Sequence, residues 1–186
     1  SKIPIGANVL CLLWVYLIKL CGTKKSRCVC NGSQRMRGTV TLGETYAQSL
    51  EQTAARIFWA IVAILNLIAI GADASNAFAE APQPKAPLYV RVDAQFRQWW
   101  TECKNRPPIP AGYGLRVKRA LQGHPESPRL WANLIDSIIQ KLGLKPCVHE
   151  PCLFYTNQFD GKNMEVLILR QVDDFAVACK NKEDAE

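Results

Sequence analysis

Blocks of apolar positions broken by short polar stretches predict most of the elements of this chain. Residues 9–19 are dense in β-prone side chains (Val9, Leu10, Leu13, Trp14, Val15, Tyr16, Ile18), and Gly22-Thr23 follows as a turn. Residues 24–30 resume as a strand, with Lys25, Arg27 and Val29 on one face at period two, so the pair reads as an antiparallel hairpin. Residues 32–43 are polar and loop-like and carry Arg35 and Arg37. From Glu44 to Asn66 the spacing turns helical: Leu50, Ala54, Ile57, Ile61 and Leu65 recur at three or four, and Trp59 and Val62 widen the stripe. Leu67 to Ala72 reads as a buried strand that ends on Asp73, with a short helical turn after it.

Beyond an arm marked by Pro82, Pro84 and Pro87, Leu88 to Val92 is a short strand. Trp99-Trp100 and the stretch Arg106-Pro107-Pro108-Ile109-Pro110 form an insertion. It reads as a surface loop that packs its own aromatics or, more sharply, as a stacking platform for bases. Leu115 to Leu121 is a strand broken by Gln122-Gly123. Ser127 as N-cap and Pro128 at the first position open a helix with Trp131, Leu134, Ile135, Ile138 and Leu142 on one face and Gly143 as its stop. Cys152 to Thr156 is a strand and Asn157 to Asn163 a turn. The order β-β-α-β-α-β-β-α-β-β-β defines an α+β domain on an antiparallel sheet.

The last hairpin, Val166 to Val177, organises the chemistry. Two β-prone apolar runs flank Asp173 and Asp174 at or near the turn. A hairpin so apolar is expected to be largely buried, and buried carboxylates need a cation, which points to a divalent metal. The plain alternative is that Asp-Asp is turn chemistry. Asp73, at the end of a strand, faces a cleft or caps a helix. Lys25 and Arg27 are a solvated face or a grip on phosphates.

Composition narrows the partners. The 186 residues suit one domain, or a domain and a fragment, and 48% hydrophobic residues are enough for a core. With 23 Lys and Arg against 16 Asp and Glu, the formal charge of +7 favours a polyanion, nucleic acid above all, or an anionic membrane surface. Cys11, Cys21, Cys28, Cys30, Cys103, Cys147, Cys152 and Cys179 include no Cys-x-x-Cys, and Cys147, His149 and Cys152 have no standard zinc spacing. Reduced thiols in a cell interior are the expectation. The apolar stretches 9–20 and 57–70 fall short of the ~20 residues of a membrane span. Asn31-Gly32-Ser33 spells a glycosylation sequon, with nothing to suggest secretion. The chain reads as a piece of something longer.

Several segments together resemble the reverse transcriptase domain of copia-type LTR retrotransposons. Gln171-Val172-Asp173-Asp174 is similar to that family's Tyr-Val-Asp-Asp box, and Asp73-Ala74-Ser75-Asn76-Ala77-Phe78 to its Asp-Val-x-x-Ala-Phe box. Ala120-Leu121-Gln122-Gly123 through Ser127-Pro128-Arg129-Leu130-Trp131 resembles its Leu-Tyr-Gly-Leu-Lys-Gln-x-Pro-Arg-x-Trp box. Pro151-Cys152-Leu153-Phe154 resembles its Asp-Pro-Cys-Leu-Phe segment. Trp14-Val15-Tyr16, Lys19, Lys25-Ser26-Arg27-Cys28-Val29 and Gly32 look like the start of the domain. The likeness runs in order from about residue 3 to residue 180. Departures are Gln171 for Tyr, Arg170 in an otherwise apolar run, Gln122 for Tyr, Pro125-Glu126 for Lys-Gln, and Ala79-Glu80 after Ala-Phe.

The resemblance implies a right-hand polymerase: fingers over residues 1–45, and a palm over 46–186 with interleaved fingers segments. The palm would be an antiparallel sheet with helices packed on one face, and the thumb and RNase H would lie outside the chain. It implies Asp73, Asp173 and Asp174 as catalytic residues and ligands of Mg²⁺, or Mn²⁺ in its place. Lys25, Arg27, Ala74, Asn76, Ala77, Phe78, Gln122 and Gly123 would bind the nucleotide, with Phe78 beneath the sugar. Implied partners are an RNA or DNA template with primer, deoxynucleoside triphosphates, and the thumb and RNase H of the same polyprotein, with no membrane. Implied settings are the cytoplasm, in virus-like particles, and the nucleus. The alternative is a catalytically inactive remnant or a nucleic-acid-binding module that keeps the fold.

Overall fold

The computed structural model describes residues 1–32, 45–156 and 166–181. The polar loop with Arg35 and Arg37, the sequon's Ser33 and the turn expected at 157–163 lie outside them. The chain divides into two compact units, Ser1–Tyr46 with Phe78–Trp131, and Ala47–Ala77 with Ala132–Glu186.

The first unit holds a mixed four-stranded sheet in the order β2-β1-β4-β5. Strands β1 (Asn8–Ile18) and β2 (Lys24–Cys30) form the expected hairpin, and Gly22 takes φ +80 in its turn. β1 also pairs in parallel with β4 (Leu88–Arg91), which pairs antiparallel with β5 (Leu115–Arg116). Leu10, Cys30 and Leu88 form the core here, with Val117 and Leu121 against it. β5 is far shorter than the strand expected over 115–121; past it only the bridge from Arg119 to Pro82 remains.

The second unit holds a five-stranded antiparallel sheet in the order β3-β9-β8-β7-β6. Its strands are β3 (Ile68–Asp73), β6 (Leu144–Pro146), β7 (Leu153–Thr156), β8 (Val166–Gln171) and β9 (Asp174–Cys179). Period two sends Leu167, Leu169, Ala176 and Ala178 to one face, where they pack with Phe58, Ile61, Val62 and Leu65 of helix α1 (Gln52–Ile64) and its C-terminal end. Val166, Ile168, Phe154 and Phe175 take the other face, with Ile135 and Ile139 of helix α4 (Ser127–Lys141). Helices therefore cover both faces of this sheet, not the one face expected.

Other expectations are corrected by tertiary contacts. α1 starts at Gln52 rather than Glu44, because the preceding backbone is bonded elsewhere: the Gln48 carbonyl accepts from Cys152 Sγ, and Glu51 N–H donates to Glu150 Oε2. Its core residue is Phe58, fully buried, while Ile57 and Trp59 face water. β3 is an edge strand and mostly exposed, not buried. α4 turns Trp131, Ala132 and Ile139 inward and leaves Ile138 and Leu142 exposed. Two elements escaped the sequence pattern: β6, and helix α3 (Ala94–Glu102), where a loop was expected.

Candidate active site

Three strands bring the three predicted carboxylates to one end of the second sheet. Asp73 ends β3 and pairs with Asp174, the first residue of β9; Asp174 in turn pairs with Gln171, the last residue of β8. Directly paired residues on adjacent strands project their side chains to the same face, about 5 Å apart at Cβ. The two-residue turn between β8 and β9 is Val172-Asp173, and the carbonyl of Asp173 accepts the N–H of Ala74 at 2.8 Å. That bond ties the residue after Asp73 to the turn, so Asp73, Asp173 and Asp174 occupy neighbouring backbone positions although a hundred residues separate them in sequence.

The turn is strained. Val172 sits at φ +57, a region a β-branched residue rarely adopts. A two-residue hairpin that matches strand twist needs positive φ at its first position, which glycine fills at no cost. Valine here holds the turn at a local cost of the kind that gathers at functional sites.

All three acids are exposed, against the expectation of a buried pair. Burial along β8 and β9 stops short of the turn, and the carboxylates stand in water beyond it. Among the described residues no group of three or more His, Cys, Asp or Glu side chains is placed to hold a metal ion. Like charges opposite one another repel, which favours divergent rotamers over convergent ones. The backbone placement and the hard oxygen donors suit Mg²⁺ or Mn²⁺; the side chains as they stand are not gathered round one.

Around Asp73 the local structure follows the sequence. Asn76 accepts φ +55, as Asn does readily, and the chain enters the short helix α2 (Ala77–Glu80) with Ala77 buried. Ala74 is partly buried, Asn76 exposed and Phe78 partly buried.

The remaining predicted residues belong to the first unit. Lys25 and Arg27 share one face of β2, opposite Leu17 and Val15 of β1, with Arg27 exposed and Lys25 partly buried. The Gln122 carbonyl accepts the Cys30 N–H at 2.8 Å, and Gly123 takes φ +91. A Cβ on Gly123 would clash with the carbonyl of Cys30, and one on Gly32 with the carbonyl of Gly123. The two glycines thus let the Gln122-Gly123 turn lie backbone to backbone on the end of β2, a packing role the sequence did not announce.

A group that sequence reasoning missed lies one strand position before Gln171. Arg170, only 2% exposed, points to the α4 face of the sheet and meets Asp136 Oδ1 at 3.2 Å. Its Nη2 also approaches Cys152 Sγ at 3.8 Å, and its N–H donates to the Cys152 carbonyl at 2.9 Å. The signal was present: Arg170 interrupts an apolar run, and a buried cation requires a carboxylate.

Comparison of the chain with family models, with curated proteins and with solved structures gave no match. Among the described residues no helix is long and apolar enough to cross a membrane.

Proposed function

We propose that this chain is a nucleotidyltransferase, and within that class the fingers and palm of an RNA-directed DNA polymerase of the copia type. The observation that carries the reading is the pairing of Asp73 with Asp174 beside the Asp173 turn, three carboxylates on one sheet end drawn from two distant boxes. Asp73, Asp173 and Asp174 would hold the divalent cations. When bound, such a pair of cations activates a primer hydroxyl and neutralises the leaving pyrophosphate. The residues of the chain do the positioning. The backbone from Ala74 to Ala77 would offer N–H groups to the phosphates, Phe78 a surface beneath the sugar, and Lys25 and Arg27 charge for the triphosphate. Gln122 and Gly123 would stand beside nucleotide and template.

Charge supports the same class of partner. The first unit holds 16 of the 23 Lys and Arg but 5 of the 16 Asp and Glu, so the basic surplus is concentrated there. A polyanion neutralised by such a unit would be bound in a salt-dependent way.

A second reading, a catalytically inactive remnant that still binds nucleic acid, is favoured by one observation: Gln171 lies directly across from Asp174 where the family's box has Tyr. Primer extension separates the two. The first reading predicts slow, Mn²⁺- or Mg²⁺-dependent extension of an oligo(dT) primer on poly(rA), abolished by Asp174→Asn. Salt-dependent binding of the template–primer without extension selects the second, and extension retained in Asp174→Asn overturns catalysis at this site.

A further inference from the structure

Helix α3 and the segment after it fold into a small patch for which the polymerase reading has no use. Asp93 starts the helix: its Oδ1 accepts the Phe96 N–H at 2.7 Å, and its Oδ2 accepts the Trp14 indole N–H at 2.9 Å. The proline-rich segment is strapped back onto the helix by Trp100 Nε1, which donates to the Pro107 carbonyl at 3.1 Å, and by Arg97, which donates to the carbonyl of Ile109. Phe96 stacks on Trp100 at 6.0 Å between centroids and 20° between planes, and it lies 5.3 Å from Trp99. A nine-residue helix does not hold in water unaided, so these ties and rings are what fix it.

No residue of α3 is buried, and Trp99 keeps 41% of its surface in water. Two tryptophans and a phenylalanine are thus rigidly placed without serving a core. Cations stand beside them: Lys104 Nζ lies over the Trp99 ring, 5.3 Å from its centroid, and Arg106 follows in the exposed segment. The nearby acids are engaged, Asp93 as above and Glu102 with the Gln98 amide at 3.0 Å.

We propose that this patch is a second nucleic-acid site, one that takes single strands, with Trp99 stacking a base and Lys104 and Arg106 meeting the adjacent phosphates. Base–aromatic stacking needs an exposed π-face, and a cation beside it meets the backbone. A duplex hides its base faces, and an apolar protein surface gains nothing from exposed cations such as Lys104 and Arg106. The inference does not rest on the carboxylate site.

The test is anisotropy of a labelled oligo(dT) titrated at low salt with the 186-residue chain. Trp99→Ala is expected to weaken binding about tenfold or more. Lys104→Gln with Arg106→Gln, both surface changes that leave the fold alone, lowers the salt slope by about 1.4. Absence of binding by the wild-type chain overturns the proposal. So does a folded Trp99→Ala chain that binds as tightly as wild type, or an unaltered salt slope in the Lys104/Arg106 variant.

Discussion

Arg170 and Asp136 form an ion pair at 3.2 Å between β8 and α4, with the arginine side chain 3% exposed and the aspartate side chain 30%. Removing one partner strands the other charge, whereas replacing both with apolar groups removes the problem. Asp136→Ala is therefore expected to cost about 2–4 kcal/mol, a little below a fully buried pair because Asp136 is partly wet. Asp136→Leu with Arg170→Met is expected to cost much less. Urea midpoints of the three chains decide it; a double variant as unstable as Asp136→Ala contradicts the account.

Gly32 and Gly123 predict a steric asymmetry among the glycines. At each an added Cβ meets backbone carbonyl, and Gly123 is at φ +91 besides. Gly32→Ala and Gly123→Ala should each cost about 3 kcal/mol or more, through clash and strain. Gly71→Ala, on β3 with open space around it, should change stability by less than about 1 kcal/mol. Thermal midpoints measure the contrast.

Val172 predicts a gain. At φ +57 in a two-residue turn, Val172→Gly relieves left-handed strain and should stabilise the chain by about 1 kcal/mol. A loss of stability in the same urea experiment would mean that the packing of Val172 outweighs its backbone.

His124 predicts a pH dependence. It is buried, and its Nδ1 accepts the Glu126 N–H at 3.2 Å, which fixes the ring as neutral. Burial holds its pKa below the usual 6.5, with Glu126 pulling weakly the other way. The unfolded chain then takes up the proton first. The His124 contribution is intact above about pH 6.5, shrinks as the pH falls below that value, and levels off once the folded imidazole also protonates. His124→Asn, which keeps an acceptor without the titration, should flatten the stability profile between about pH 7 and 5. An unchanged slope would assign it to other groups.

Strong period-two runs were legible as strands, as in β1, β2, β8 and β9, because local pattern and register agree there. Where distant contacts decide, the pattern misled. The apolar spacing of α1 runs back to Leu50, yet Glu150 and Cys152 hold the backbone before Gln52 out of helix. Ile57 and Ile138 fit a helical stripe, but the sheet meets the neighbouring rows, which contain Phe58 and Ile139. α3 was missed although Asp93 is a good N-cap and Phe96, Trp99 and Trp100 share one face, because the helix has only nine residues and the prolines that follow it read as loop. The meeting of Asp73 with Asp174 is a matter of strand order, which spacing does not encode; the resemblance supplied it as an expectation, and the pairing of β3 with β9 brings the two positions together.

The most direct test of the carboxylate site is calorimetric titration of Mn²⁺ or Mg²⁺ into the chain, against a folded variant with Asp73, Asp173 and Asp174 all changed to Asn, with template–primer present in both. The account predicts a binding isotherm in the wild-type chain that disappears in the variant. Equal heats from the two chains would contradict a metal site built from these three residues.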